Sequence, residues 1–306
     1  MKTIKAAASV LLLSSASAFA ADLPSIKSAP APTPTPMWTG FYAGLNAGGT
    51  WEDNNTLHAS TALLFTPQNT ADLYTAAAFS GPRYFSKSLG FIGGGQVGYN
   101  FQLPVYGLNF VTGMEADFQG LTGANENINR WYSTPYAGTG NLGNPFSITH
   151  NIQGNGGLSW LGTVRGRLGY VINPSLLIYG TGGLAYGGYN TNIEHMMNSV
   201  DTSSTSYNFL VSGATNNSST MVGWTAGGGA EWMFLPNLSV KAEYLYYDLG
   251  NTTGSLINYA YGYANASGMN AMVSTTNYSQ RINGNIVRAG VNYHFNFASA
   301  PVVAKF

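Results

Sequence analysis

Eight charged side chains lie inside segments that are otherwise apolar and rich in glycine and aromatic residues. They are Glu115, Asp117, Arg165, Arg167, Glu231, Lys241, Glu243 and Arg288. Where apolar and charged residues alternate with period two, as around Arg165 and Arg167, the pattern indicates β-strands that carry the two sets on opposite faces. Four acids and four bases on one such face can form a network of ion pairs. They can also line a charged constriction that selects ions.

The same alternation extends to eight segments of the chain. The predicted strands lie near residues 40–51, 89–101, 107–120, 158–172, 176–190, 221–234, 238–250 and 284–297. Short connections (102–106, 173–175 and 235–237) alternate with long ones (about 52–88, 121–157, 191–220 and 251–283), which are rich in Asn, Ser, Thr, Gly and Tyr. Short turns at one end and long loops at the other are typical of outer-membrane barrels. The predicted fold is therefore all-β, an eight-stranded antiparallel transmembrane up-and-down barrel with long extracellular loops.

In such a barrel the apolar face of each strand contacts lipid and the charged face is enclosed. Aromatic residues gather at both ends of the predicted strands, as expected for two interfacial girdles. They are Phe41, Trp51, Phe91, Phe101, Trp160, Tyr170, Trp224, Trp232 and Phe234. Because eight strands leave room only for side chains, the charges are expected to fill the lumen as ion pairs. Opposite charges on adjacent strands attract, so Glu115 and Asp117 are expected to face Arg165 and Arg167.

The two ends of the chain have a different composition from the strands. Residues 1–20 resemble an export signal with a basic start, an apolar stretch and the small-x-small site Ala18-Phe19-Ala20. Residues 21–37 contain five prolines, which indicates a periplasmic tether, and the barrel is expected over 38–297 with a tail at 298–306. Without Lys2 and Lys5 the chain has 10 basic and 12 acidic residues, which argues against nucleic-acid binding. The chain has no cysteine, so disulfides and thiolate metal sites are excluded.

Residues with catalytic or ligating chemistry are few outside the charged set. His195 and Met196, followed by Met197, are weak candidates for haem ligands, because His and Met ligate iron in some haem proteins. His294 is expected to point inward near Thr50 and Glu243, but no serine lies opposite it within a predicted strand, so a hydrolase is not expected. The sequence predicts no catalytic residues, no metal site and no cofactor.

Several motifs resemble a known family. Residues 38–51 (WTGFYAGLNAGGTW), 163–170 (TVRGRLGY) and 288–295 (RAGVNYHF) are similar to segments of the small outer-membrane barrel proteins of alphaproteobacteria, often labelled outer-membrane immunogenic or porin-family proteins. The resemblance implies an eight-stranded barrel that is abundant in the outer membrane and exposed at the cell surface. Some relatives bind haemin or are immunodominant antigens. The tail departs from the family, whose members commonly end at or near the aromatic residue that closes the motif at 288–295. Phe295, Phe297 or Phe306 could therefore close the last strand.

The function expected from the sequence is that of a non-enzymatic integral outer-membrane surface protein with an ion-paired lumen. Its role would be structural in the envelope and interactive at the surface. One alternative is a narrow passive porin for small solutes. A second is a surface receptor that binds haemin or host components through its loops. The expected partners are outer-membrane lipid and, through the last strand, the outer-membrane assembly machinery, with the surface ligand unknown.

Overall fold

A computed structural model describes residues 38–53, 55–65, 83–86, 89–123, 126–136, 146–201, 209–263 and 269–295. The proposed signal, tether and tail lie outside these residues. The described residues form eleven strands: β1 (Gly40–Glu52), β2 (Asn55–Phe65), β3 (Arg83–Ser86), β4 (Leu89–Val105), β5 (Leu108–Thr122), β6 (Glu126–Tyr136), β7 (Phe146–Asn173), β8 (Leu176–Asp201), β9 (Phe209–Leu235), β10 (Leu238–Tyr263) and β11 (Met269–Phe295). None of the described residues forms a helix long and apolar enough to cross a membrane.

Eight of these strands close into a ring. Antiparallel pairing runs in the order β1-β4-β5-β7-β8-β9-β10-β11, and β11 pairs with β1 through a register that includes Ala43 with Tyr293. The predicted eight-stranded antiparallel barrel is therefore confirmed. Closure leaves no unpaired strand edge in the ring, which is what a strand wall in lipid requires.

Three tight connections lie at the end of the barrel where β1 begins. Tyr106 and Gly107 form a two-residue turn with positive φ at both residues, 50° and 78°, the geometry that suits a hairpin between right-twisted strands. Pro174 with Ser175, and Pro236 with Asn237, form the other two turns. Strand β4 continues to Val105, so the first turn is shorter than the segment 102–106 expected from the sequence.

The segments expected to be long loops contain much regular structure, so the strands are longer than the bounds predicted from the sequence. Strands β7 to β11 have 26 to 28 residues each, whereas about 9–11 residues suffice to cross a bilayer. Strands β2, β3 and β6 also fall in these segments, β2 pairing with β11 and β6 with β7. The barrel wall thus continues beyond the membrane as an extracellular sheet, which we call the extension. Its Asn-, Ser- and Thr-rich strands face water on one side, so they lack the apolar alternation that marks the strands in lipid.

Candidate functional site

The charged side chains predicted from the alternation all lie inside the barrel. Each of the eight is at most 4% exposed, on strands β5, β7, β9, β10 and β11. Period-two alternation positions them, because every second residue of a strand points to the lumen. Burial of so many charges is costly unless each has a partner, so their contacts decide what the lumen can do.

Six of the eight charges form one group. Arg165 contacts Glu115 at 2.5 Å, Asp117 at 2.9 Å and Glu243 at 2.9 Å. Arg288 contacts Asp117 at 2.8 Å and Glu243 at 2.6 Å. Lys241 donates to both carboxylate oxygens of Glu115, at 2.8 and 2.9 Å. Three cations and three carboxylates share these contacts, so the group is neutral as a whole.

The other two charges form a separate pair. Among the described residues, the salt bridge of Arg167 is with Glu231 of β9, not with the acids of neighbouring β5. The expectation that Arg167 faces Glu115 and Asp117 was therefore wrong, whereas Arg165 does bind both. Glu231 also accepts hydrogen bonds from Ser239 at 2.5 Å and from Asn292 at 2.7 Å.

Two tyrosines connect the pair to the group of six. Tyr42 donates to Glu115 at 2.7 Å and accepts a hydrogen bond from Arg167 at 3.5 Å. Tyr179 donates to Glu243 at 3.2 Å, and the guanidinium carbon of Arg167 lies 3.6 Å from the centre of its ring, a cation–π contact. Neither tyrosine was singled out as a lumen residue from the sequence. Both tyrosines lie on the lumen faces of their strands, β1 and β8. The sequence could not assign them to that face, because a tyrosine that alternates with glycine can face either lipid or the lumen.

Buried apolar side chains lie on both sides of the charged layer. Below it, towards the tight turns, lies the lower apolar layer: Trp38, Val111, Val171, Leu177, Tyr179 and Met233. Above it lies the upper apolar layer: Ile92, Leu158, Leu161, Ala185, Tyr189, Met221, Leu245, Tyr247, Leu249, Ile282 and Ile286. The charged layer therefore lies between two groups of buried apolar side chains.

Trp38 lies at the lower mouth of the lumen, ahead of the first strand. It is 0% exposed, and its ring meets that of His294 edge to face at a centroid distance of 5.9 Å. Its backbone N–H donates to the side chain of Gln102, and the N–H of Gln102 donates to Thr39, which fixes the entering chain against β4. Sequence periodicity could not reveal this, because Trp38 precedes any alternating segment.

A serine does lie beside His294, contrary to the sequence-based expectation. His294 Nε2 is 2.9 Å from Ser239 Oγ and 3.3 Å from Glu231 Oε1. In a nucleophilic triad the base meets the nucleophile through one ring nitrogen and the orienting acid through the other. Here Nε2 of His294 faces both Ser239 and Glu231, and Ser239 is 0% exposed. The arrangement fits a hydrogen-bonded structural cluster.

The candidate haem ligands lie in the extension, on opposite faces of β8. His195 is buried to 1% exposure, whereas Met196 is 40% exposed on the outer surface. Burial lowers the pKa of His195, an effect that its hydrogen bond with Asn258 opposes. Two side chains on opposite faces of a sheet cannot bind one iron, so the His195–Met196 pair is wrong as a joint ligand set. No cluster of three or more His, Asp or Glu suited to a metal ion occurs in the described ranges.

The predicted girdle aromatics all face outward. Ring contacts join them to aromatic residues on neighbouring strands: Phe41 meets Tyr99 edge to face at 4.7 Å, and Trp160 stacks on Phe118 at 5.4 Å. Phe41 and Trp51 are ten residues apart on β1. At about 3.3 Å per residue and a tilt near 40°, that distance rises about 25 Å, the height of the apolar band of an outer-membrane barrel.

Comparison with known proteins agrees with this geometry. A sequence model of the outer membrane protein beta-barrel domain matches residues 6–295. The chain belongs to the outer-membrane β-barrel protein family. This barrel protein is 33% identical over 299 residues to the 31 kDa outer-membrane immunogenic protein of Brucella melitensis, a match that covers 94% of this chain and 98% of the relative. The family and its outer-membrane location, expected from the motifs, are thereby confirmed.

More distant relatives include a Rhizobium leguminosarum 22 kDa outer membrane protein, 39% identical over 89 residues, covering 29% of this barrel protein and 33% of the relative. Among solved structures, Neisserial surface protein A matches with a TM-score of 0.29 and 13% identity over 84% of this chain and 98% of that one. The attachment invasion locus protein Ail of Yersinia pestis matches with a TM-score of 0.26 and 12% identity, covering 82% and 99%.

Proposed function

We propose that this protein is a closed barrel: it anchors an extracellular sheet in the outer membrane and conducts no solutes through its lumen. The observation that carries the proposal is the order of layers inside the barrel, with a neutral charged layer held between two apolar layers. Its work would then be done on its outer surfaces, by stabilising the envelope and presenting the extension to the environment. The long strands β7 to β11 support a surface role, since about half of each lies outside the bilayer.

A narrow passive porin is the alternative that the lumen disfavours. A conducting pore needs a continuous water path, and ions that pass need charges that face that path. Arg165 and Arg288 instead donate hydrogen bonds to the buried carboxylates of Glu115, Asp117 and Glu243. Leu161, Leu245 and Ile286, each at most 1% exposed, cover them on the extracellular side.

We further infer that the protein is not an enzyme and takes no resident cofactor. The buried Ser239–His294–Glu231 cluster offers a substrate no access. For assembly, we infer that Phe295 supplies the terminal aromatic, because it ends β11 facing outward beside Tyr293, at a ring distance of 5.0 Å. Phe297 and Phe306, the other two candidates, lie outside the described residues.

Single-channel conductance in a planar bilayer tests the closed lumen. Refolded wild-type protein is expected to give no steps, with a general diffusion porin in the same bilayer as the positive control. A Glu115→Ala/Arg165→Ala variant is also expected to stay silent, because both apolar layers remain, although it should unfold at lower denaturant. Heat-modifiable migration on gels shows that each sample is folded. Steady, salt-dependent conductance from the wild type would overturn the proposal and make the protein a small-solute pore.

A further inference from the structure

A patch of short polar side chains covers the outer face of the extension where β10, β11 and β2 lie side by side. Strand register arranges six of them in two rows, which we call the polar grid. The first row is Thr253, Ser279 and His58, and the second is Ser255, Asn277 and Ser60. Each row joins one residue from each strand, so the hydroxyl, amide and imidazole groups form a regular field of hydrogen-bond donors and acceptors.

The polar grid lines a shallow depression on the outer surface. Its volume is about 580 Å³, within the range of small-molecule sites in proteins. The base of the depression is firm, because Leu57, Leu256 and Tyr278 pack together on the inner face of the same strands. Gly254 lies against the Tyr278 ring so closely that an added Cβ would be 2.2 Å from the hydroxyl oxygen. The depression therefore exists before any ligand binds.

Larger side chains border the polar grid along the strands. On the membrane side, the Arg281 side chain is 60% exposed and contacts Asp248 at 2.5 Å. On the far side, Ile257 and Tyr259 lie exposed on β10. A guanidinium can bind an anionic substituent of a ligand, and a tyrosine offers an apolar ring with a polar tip.

The height of the polar grid above the bilayer limits what can reach it. Asn285 of β11 pairs with Trp51, an aromatic residue at the upper end of the predicted membrane span. Ser279 and Asn277 precede Asn285 by six and eight residues, so they lie further from the membrane. Strand rise and tilt place them about 15–20 Å above the membrane interface. That zone of the outer leaflet is filled by the sugar chains of its glycolipids.

The chemistry of the lining excludes other classes of ligand. A protein partner would bury an apolar centre with aromatic anchors, and the grid has none within its two rows. A nucleic acid would need a cluster of cations, and the lining of the depression contains no lysine or arginine. Hydroxyl, amide and imidazole groups side by side match the hydroxyls of a saccharide, which both donate and accept hydrogen bonds.

We propose that the polar grid binds an oligosaccharide, with Arg281 next to an acidic or phosphorylated sugar at its membrane end. The sugar can come from the glycolipid of the same membrane or from a free glycan. This inference goes beyond the closed-lumen proposal and does not depend on it.

Calorimetric titration of the full-length refolded protein tests the site with three probes. They are lipopolysaccharide with a complete core, lipid A that lacks the core, and the core oligosaccharide cut from the same preparation. The wild type is expected to bind the first and the third. An Asn277→Ala/Ser279→Ala variant should bind both about tenfold more weakly, because it loses two hydrogen-bonding side chains. These residues face outward, so the barrel should still fold, which heat-modifiable migration verifies.

A matched control is available on β9, outside the polar grid. Asn216 and Ser218 are exposed, outward-facing residues of β9 with the same functional groups. Asn216→Ala/Ser218→Ala should leave both affinities unchanged. Binding of the free oligosaccharide without binding of intact lipopolysaccharide would support the site and identify a free glycan as its source. Equal binding of lipid A and complete lipopolysaccharide, or equal losses in the two double variants, would overturn the proposal.

Discussion

Arg165 and Arg167 lie two residues apart on the lumen face of β7, yet they bind acids on different strands. Arg165 contacts Glu115 of adjacent β5 and Glu243 across the lumen, whereas Arg167 contacts Glu231. The charges therefore fall into two neutral groups, one of six residues and one of two. A group of two has no second cation to compensate for the loss of one partner, so the smaller group should be the more sensitive to single substitutions.

Removal of one member of the Arg167–Glu231 pair should destabilise the barrel strongly. Arg167→Met leaves Glu231 buried without its cation, and losses of about 3–5 kcal/mol are typical when a buried pair is broken in this way. Arg167→Met/Glu231→Gln removes both charges and should cost clearly less than the sum of the two single changes. Urea unfolding from lipid vesicles, followed by tryptophan fluorescence, measures the cycle.

The pair Arg281–Asp248, in which the arginine side chain is 60% exposed and the carboxylate is buried, provides the comparison for this cycle. Arg281→Met leaves the Asp248 carboxylate with the hydrogen bond that it accepts from the backbone N–H of Gly250, and the lost arginine was mostly in solvent, so the unfolding midpoint should fall less than that of Arg167→Met. Additive losses in the Arg167 and Glu231 variants would show that the two side chains do not depend on each other, contrary to the contacts found here.

Glycines pair with the charged residues on neighbouring strands, and some of these positions have no room for a larger residue. Gly183 pairs with Arg165, and a Cβ added there would lie 2.2 Å from the carbonyl oxygen of Val164. Gly183→Ala should therefore force the two strands apart and cost about 1–3 kcal/mol, as overpacking does. At Gly182 the nearest atom would be 3.7 Å away, so Gly182→Ala should change stability by less than about 0.5 kcal/mol. Equal urea midpoints for the two variants would contradict this account.

The lipid-facing part of the barrel could be read from the sequence, because one residue in two must be apolar there. That rule located the buried charges, the outward-facing aromatic residues and the eight strands of the ring. The partner of Arg167 could not be predicted, because a contact across the lumen depends on barrel diameter and stagger rather than on neighbouring strands. Ser239 was missed for a related reason: it meets His294 diagonally, since its direct partner in the ladder is Asn292.

The continuation of the strands into the extension could not be predicted from the sequence, for a different physical reason. Residues 191–199 and 209–217 pair in register in the extension, but their outer face meets water rather than lipid, and Asn, Ser and Thr occur on both faces. Without a lipid side to enforce alternation, such segments have the composition of loops. The same absence of constraint leaves room for recognition chemistry such as the polar grid.

Trp38 should block the access of water-soluble reagents to the lower mouth of the lumen. Because the chain has no cysteine, a single introduced cysteine can report this access by its rate of labelling. Met233 is buried in the same apolar layer as Trp38. A Met233→Cys variant should react slowly with a water-soluble maleimide, and added Trp38→Ala should raise the rate about tenfold, the effect of lowering the cost of local opening by about 1.4 kcal/mol. Tyr106→Cys, at a fully exposed turn, should react fast with or without Trp38. An unchanged rate at residue 233 after the loss of Trp38 would mean that other side chains of the lower apolar layer cover this position without Trp38.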